Sequence, residues 1–335
     1  MFYLLDYRLG SRLEVQGGLR LDGQQVRIVG HQQMIYSTAG RELGIEELVR
    51  GQTRQQGVPT WSVGLNWRAA DSVMLRLNGG SSFRFPQVVE LAANGIHHGN
   101  FRHEMGDPDL LAERGYQIDA AGECRFGFGR LSVSPYLLYF TNYLYLSPSF
   151  RFSSRPEGGQ LYEYQQTEAR FWGGELLAEF QVLRWMLLEI GGDYTAAHNF
   201  LTRLPMPFTP PSQGWGELKF RHRRTADRLR ELSAAVECRH VTAQLQVDRN
   251  EATTPGSTLW HVRAGAAWQV GAQTRIQLHG QLLNAFDALQ YNHLSNYRFL
   301  NLPEPGRNFI LTLSVDWTGQ PRNASTREST PSPTR

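Results

Sequence analysis

The segment Trp61-Ser62-Val63-Gly64-Leu65-Asn66-Trp67-Arg68 decides the fold, because its odd positions are apolar and its even ones polar or small. A period of two belongs to a β-strand, whose successive side chains point to opposite faces. The pattern repeats in the next segment, where Val73, Leu75 and Leu77 oppose Arg76 and Asn78. Near the other end, Ile276, Leu278, Gly280 and Leu282 alternate with Arg275, Gln277, His279 and Gln281. Phe309, Leu311, Leu313, Val315 and Trp317 alternate likewise with Asn308, Thr312, Ser314 and Asp316. Each such strand has one dry face and one wet face.

A soluble antiparallel sandwich has dry and wet faces too; connection length separates the two. Strands are expected near residues 2–9, 11–21, 58–69, 71–82, 113–126, 130–143, 162–183, 184–197, 212–221, 231–247, 258–268, 273–284 and 306–317. Short connections at 9–10, 69–70, 126–130, 183–184, 221–230 and 268–273 alternate with long ones at 22–56, 83–112, 144–160, 198–211, 248–257 and 287–305. Strict alternation puts every long loop at one end of the sheet. Short periplasmic turns and longer extracellular loops are the pattern of an all-β, antiparallel, up-and-down transmembrane barrel in an outer membrane, facing lipid on its apolar side. Tyr139, Tyr143, Tyr145, Trp185, Tyr194, Trp215, Trp260, Trp268 and Trp317 fall at or near strand ends, where aromatic rings meet a membrane interface.

Composition fits this reading. Among 335 residues, 41% hydrophobic and 19% charged, no run approaches the roughly 18 apolar residues that a spanning helix needs. Strands of about 9–11 residues with alternate positions apolar keep mean hydropathy low, here −0.42. The net charge of +3, with basic and acidic residues interleaved, carries no nucleic-acid footprint. Arg221-His222-Arg223-Arg224 reads as a solvated turn. Cys124 and Cys238 sit mid-strand on the apolar alternation, as two small apolar side chains rather than a disulfide or metal pair. Residues 1–8 lack the basic, apolar and cleavage regions of an export signal, so Met1 is expected to be an internal or artificial start and the chain a fragment. Residues 1–317 form the barrel portion, and 318–335, rich in Ser, Thr, Pro and Arg, are expected to be a disordered tail.

Four motifs carry a resemblance. Ser82-Phe83-Arg84-Phe85-Pro86-Gln87-Val88-Val89-Glu90-Leu91 ends a strand and opens a short helix with Glu-Leu; Gly106-Asp107-Pro108-Asp109-Leu110-Leu111-Ala112-Glu113 re-enters the sheet. Asn284-Ala285-Phe286-Asp287 tops the penultimate strand and Pro303-Glu304-Pro305-Gly306-Arg307-Asn308-Phe309 opens the last. In this order the chain resembles the C-terminal barrel portion of the TonB-dependent outer-membrane receptor family. The resemblance implies a barrel of about twenty-two strands with a plugged lumen, built to capture scarce metal chelates such as ferric siderophores, haem or cobalamin, or a metal ion, with energy delivered by TonB. About thirteen strands are legible, so this chain is expected to be part of such a wall, reaching the TonB complex only through an N-terminal plug that it lacks. The tail beyond Trp317 departs from the family's habit of ending on a terminal aromatic, and is expected to hinder assembly.

The loop from Asn94 to Glu104 gathers three of the ten histidines beside an acid. His97, His98, His103 and Glu104 are candidates for ligand capture, with His97, His98 and Glu104 as a metal set of imidazole and carboxylate suited to zinc or copper. Some metal-importing family members carry a similar Asn-Gly-x-His segment. The plainer reading makes these residues hydrogen-bonded loop structure. Tyr297 and Arg298 are candidates for an anionic chelate, by stacking and charge. His31, Met34, Tyr36, His198, Met206 and His293 are further loop candidates. Arg76, Arg125, Gln277, His279 and Gln281 are expected on the wet lumen face. No resident cofactor is implied. No Gly-x-Ser-x-Gly, His-Glu-x-x-His or Gly-rich phosphate loop occurs, which argues against an enzyme. A passive pore or inactive barrel fragment is the remaining alternative.

Overall fold

A computed structural model describes residues 1–36, 42–97, 102–153, 158–223, 228–249, 251–271 and 273–317. His98, Arg224 and the segment 318–335 lie outside the described residues. In chain order the elements are β1 (Phe2–Leu9), β2 (Leu13–Ile28), β3 (His31–Tyr36), β4 (Glu42–Val49), β5 (Gln52–Ala70), β6 (Val73–Arg84), α1 (Val88–Ala92), β7 (Asn94–His97) and β8 (Arg102–Met105). Then come β9 (Glu113–Phe126), β10 (Gly129–Phe152), β11 (Gln160–Leu183), β12 (Met186–Asn199), β13 (Gln213–Arg223), β14 (Leu229–Val241), β15 (Ser257–Val270), β16 (Thr274–Leu283), a 3-10 turn (Asn296–Leu300) and β17 (Asn308–Trp317).

All thirteen expected strands form one antiparallel up-and-down sheet, ordered β1-β2-β5-β6-β9-β10-β11-β12-β13-β14-β15-β16-β17. The sheet is open, with β1 and β17 at its two edges. Cross-strand partners share a face, so the alternation propagates sideways. Leu19 opposes Trp61, Val63 opposes Gly79, and Leu278 opposes Leu313, which gives one continuous apolar face. Trp61, Leu77, Ile190 and Leu313 are exposed on it. Cys124 and Cys238 are free thiols on this face, opposite Leu131 and Trp260.

The polar face carries a lateral row on six neighbouring strands: Arg130, Glu179, Glu189, Glu217, Glu237 and His261. Four adjacent carboxylates would repel one another. Cations one step along the strands offset them. Lys219 Nζ lies 2.6 Å from Glu189 and 3.4 Å from Glu217. Arg263 pairs with Glu217 and lies 3.1 Å from Glu237, while Arg130, within the row itself, lies 2.6 Å from Glu179. A cavity of about 970 Å³ hollows this face toward the short-turn end, between Glu189, Glu217, Lys219, Arg263 and His279. Arg76 and Arg125 occupy the polar face as expected, as do Gln277 and Gln281.

Two long connections are shorter than the sequence indicates. β2 and β5 stay paired as far as Ile28 and Gln52, and β3–β4 forms a separate hairpin beyond them. Likewise β10 and β11 pair up to Phe152 and Gln160. In the second extension adjacent residues are buried together, Leu144 with Tyr145 and Leu161 with Tyr162, so the period-two pattern that marks a strand disappears while the backbone pairing continues. At β14 the error runs the other way. The strand ends at Val241 rather than 247, because its partner β13 begins at Gln213.

The expected aromatic tips divide. Tyr194, Trp260 and Trp317 are exposed on the apolar face, whereas Trp215 pairs with Gly191 on the polar face. A register slip between Phe140 and Tyr143 turns Tyr143 and Tyr145 toward a small core with Ala169, Ala197 and Met206. A one-residue bulge moves every later side chain to the other face.

Candidate functional site

The long-loop end is organised by the motifs. Arg84 closes β6 with Nη1 at 2.8 and 2.7 Å from the two oxygens of Glu90 and Nη2 at 3.5 Å from Glu113. The Glu90 carboxylate also accepts the Gln87 N–H at 2.7 Å, which caps α1. Gly106 then donates its N–H to Ala93 O at 2.7 Å, and Asp107 donates to Glu90 O at 2.9 Å. A Cβ at Gly106 would lie 2.7 Å from backbone atoms of Glu90, Ala92 and Ala93, so only glycine allows this approach. Ile28, Leu91, Leu110 and Leu144 make a dry core beneath the knot.

The hairpin β7–β8 grows out of this knot and is held from its other side by β11. Parallel pairing sets His103 against Leu161, Glu104 against Tyr162 and Met105 against Glu163. Within the hairpin Gly95 opposes Glu104, Ile96 opposes His103 and His97 opposes Arg102. His97, Arg102 and Glu104 therefore share one face, and Asn94, His103 and Met105 the other. His97 is exposed. His103 is buried, with Nδ1 at 2.8 Å from Ser153 Oγ and Nε2 at 3.1 Å from Asn94 Oδ1. A neutral imidazole carrying its hydrogen on Nε2 satisfies both contacts. Glu104 is buried too; Arg102 Nε donates to it at 2.8 Å and Tyr164 Oη at 3.1 Å. Arg102 in turn covers the Tyr162 ring at 5.0 Å. The described candidates His97, His103 and Glu104 are thus neighbours in sequence but divided between two faces. Among the described residues no three His, Cys, Asp or Glu side chains converge as a metal-ligand group.

A second cluster ties together the connections after β12, β14 and β16. His293 Nε2 lies 3.1 Å from Glu251 Oε1, and Arg298 Nη2 lies 3.0 Å from the same oxygen. Arg298 Nη1 reaches His293 Nδ1 at 2.8 Å and Ala252 O at 3.0 Å. The N–H groups of Phe208 and Asp248 donate to the Glu251 carboxylate at 2.9 and 3.2 Å. The side chains of Glu251, His293 and Arg298 are 4%, 0% and 4% exposed, so the group is a buried ionic lock. Burial opposes ionisation of Glu251. His293 and the two N–H donors outweigh it and hold the carboxyl below its ordinary value. Asp248, beside it, is pushed up by burial.

Sequence reading missed Glu251, since its partners stand 42 and 47 positions away (293 − 251 and 298 − 251) with no local motif. Arg298 and His293 were candidates for ligand contact and here hold loops together. Tyr297, on the same 3-10 turn, is 66% exposed. Met206 is 1% exposed within the small core, and His31, Met34 and Tyr36 lie on β3 of the separate hairpin. His198 falls on β12 rather than in a loop.

This open wall of meandering strands, with charged pairs on one face and a lipid-seeking surface on the other, is that of a membrane β-barrel. The chain belongs to the family described as "TonB dependent receptor-like, beta-barrel", whose model matches residues 1–285. That family comprises outer-membrane receptors of Gram-negative bacteria rather than enzymes. No curated protein matches the chain. Among solved structures it is similar to "Copper transporter OprC", with TM-score 0.76 and 22% identity over 94% of this chain and 47% of that one. It is also similar to the FrpB iron transporter from Neisseria meningitidis, with TM-score 0.62 and 15% identity over 94% and 44% of the two chains. A third is the Serratia marcescens hemophore receptor HasR, solved in complex with its hemophore HasA and heme, with TM-score 0.62 and 18% identity over 94% and 50%. The chain spans about half the length of these proteins.

Proposed function

We propose that the complete protein imports a scarce metal, as an ion or a chelate, across the outer membrane with energy delivered through TonB, and that β7–β8 meets the cargo. The observation that supports this is the double anchoring of the hairpin, by the Arg84–Glu90 knot and by β11, which holds donor side chains at the long-loop mouth. His97 and Glu104, on one face, are the proposed metal set together with His98. His103, joined by the thioether of Met105, is the proposed reserve on the other face. Imidazole with thioether suits copper among the metals that the similar proteins carry. Tyr297 and Arg298 are the proposed contacts for an anionic chelate, Arg298 only after the lock opens.

The test is uptake by cells that depend on the complete receptor. Labelled copper, ferric siderophore and haem are offered with TonB present or deleted. TonB-dependent accumulation of one cargo, weakened about tenfold by His97→Ala with Glu104→Gln, is the expected result, each lost ligand being worth roughly that factor. Uptake indifferent to TonB would sink the import reading and favour a passive pore.

A further inference from the structure

One row on the outer wall combines residues that neither membrane crossing nor cargo capture explains. Cross-strand pairing places Tyr116, Tyr139, Arg170 and His198 side by side on β9, β10, β11 and β12. They continue the apolar face, one pair beyond the level of Leu137, Trp172 and Ala196. Arg114 stands on the same face of β9, two residues farther toward the long loops, opposite Phe83. Arg170 is exposed, with its guanidinium 4.9 Å above the Trp172 ring and 5.7 Å from that of Phe200. The Glu168 carboxylate, two residues before Arg170, takes the Tyr139 hydroxyl. Among the described residues neither Arg114 nor Arg170 forms an ion pair.

An arginine on an apolar, aromatic-lined wall needs an anion at the depth where hydrocarbon meets headgroup. Lying over the Trp172 ring, and without an ion pair among the described residues, the Arg170 guanidinium keeps N–H donors for an anion, and its planar fork suits two oxygens of a phosphate. The Tyr116 hydroxyl and the His198 imidazole extend the donor row sideways, the Tyr139 hydroxyl being given to Glu168.

We propose that this strip, from Arg114 and Tyr116 to Arg170 and His198, docks the phosphate of an outer-leaflet lipid headgroup. The proposal rests on the membrane reading above. Bound lipid fixes the height of β9–β12 in the bilayer, and with it the height of the mouth they carry.

The complete receptor, purified in detergent, is challenged with bisphosphorylated lipid A or with the same lipid after enzymatic dephosphorylation, and retained lipid is counted by native mass spectrometry. The phosphorylated form should bind, and Arg114→Gln with Arg170→Gln should weaken it about ten- to thirtyfold, at roughly one factor of five per interfacial cation. Arg263→Gln, on the polar face, should leave it unchanged, and so should millimolar inorganic phosphate. Equal retention of both lipids, or equal binding by the double variant, would overturn the docking strip while leaving the membrane reading intact. Failure of the receptor to enter bilayers of any composition would overturn both.

Discussion

The Asp287 carboxylate accepts the backbone N–H of Arg307 at 2.7 Å, joining the residues on either side of the last long loop. Asp287 reaches this position with a left-handed backbone, as does Asn284, whose side chain both donates to and accepts from Ala288 at 2.8 Å. The two motifs that flank the loop are therefore halves of one clasp. Asp287→Ala is expected to cost about 1–3 kcal/mol, as for an unpaired donor next to a lost charge-assisted bond. Gly306→Ala, crowding the same oxygen, should cost a similar ~1–3 kcal/mol. Thermal unfolding of the barrel, read as loss of its folded band on unheated gels, checks both; wild-type behaviour of both variants would refute the clasp.

His97 and His103 should separate by role. His103→Ala removes a ring bonded to Ser153 and Asn94, and should loosen the hairpin by about 1–3 kcal/mol, visible as faster amide exchange over residues 94–105. His97→Ala should leave exchange unchanged and alter only metal affinity, because its side chain is exposed.

Breaking the buried lock should be severe. Arg298→Ala leaves Glu251 with a burial cost that one imidazole and two N–H groups must meet alone, a loss of about 3–5 kcal/mol. Limited proteolysis within 242–256 and 284–307 should quicken together, because both connections depend on the same contact. Cleavage confined to one of them would show that the loops are independent.

Acid should open the same lock. A carboxyl whose folded pKa is depressed contributes stability that is complete above its unfolded pKa and is lost as pH falls through the folded value. For Glu251 the loss begins near the ordinary glutamate pKa of about 4.3 and continues below it. Asp248, raised by burial, works in the opposite sense, so the measurement is the difference between wild type and Glu251→Gln. Proteolytic protection of wild type should fall toward that of the variant between about pH 5 and 3, and a constant difference would refute the assignment.

On the polar face, Arg263→Met should destabilise by about 1–3 kcal/mol, discounted from the buried-pair range because Arg263 is 40% exposed. Glu217→Gln in the same molecule should restore part of the loss, since it removes a carboxylate left short of cations. Additive effects in this double-mutant cycle would exclude coupling.

How much was legible follows from what each contact depends on. The strands whose faces separate lipid-seeking from water-seeking side chains, such as Trp61–Arg68 and Asn308–Trp317, announce themselves at a period of two. The paired extensions Asp22–Ile28 and Gln52–Val58 do not, because their few apolar residues, Val26, Ile28 and Val58, are too sparse among glutamines and arginines to mark a face, and the backbone ladder defines them. The knot of Arg84 with Glu90 was readable as a motif, since its parts lie six residues apart. The lock of Glu251 with His293 and Arg298 was not. It depends on three loops meeting, and no local spacing encodes such a meeting. The hairpin histidines were found as a cluster, but the division of His103 from His97 is set by a strand register that only the fold reveals.

Thirteen is an odd number, and that has a consequence for closure. In an unbroken antiparallel meander the first and thirteenth strands point the same way, so β1 and β17, if brought together, would meet in parallel. A two-copy ring with both sets of loops on one side would have the same parallel contact at each of its two seams. Closing this wall with antiparallel seams therefore takes an odd number of additional strands, and any engineered completion with whole hairpins alone would leave one seam of the wrong polarity.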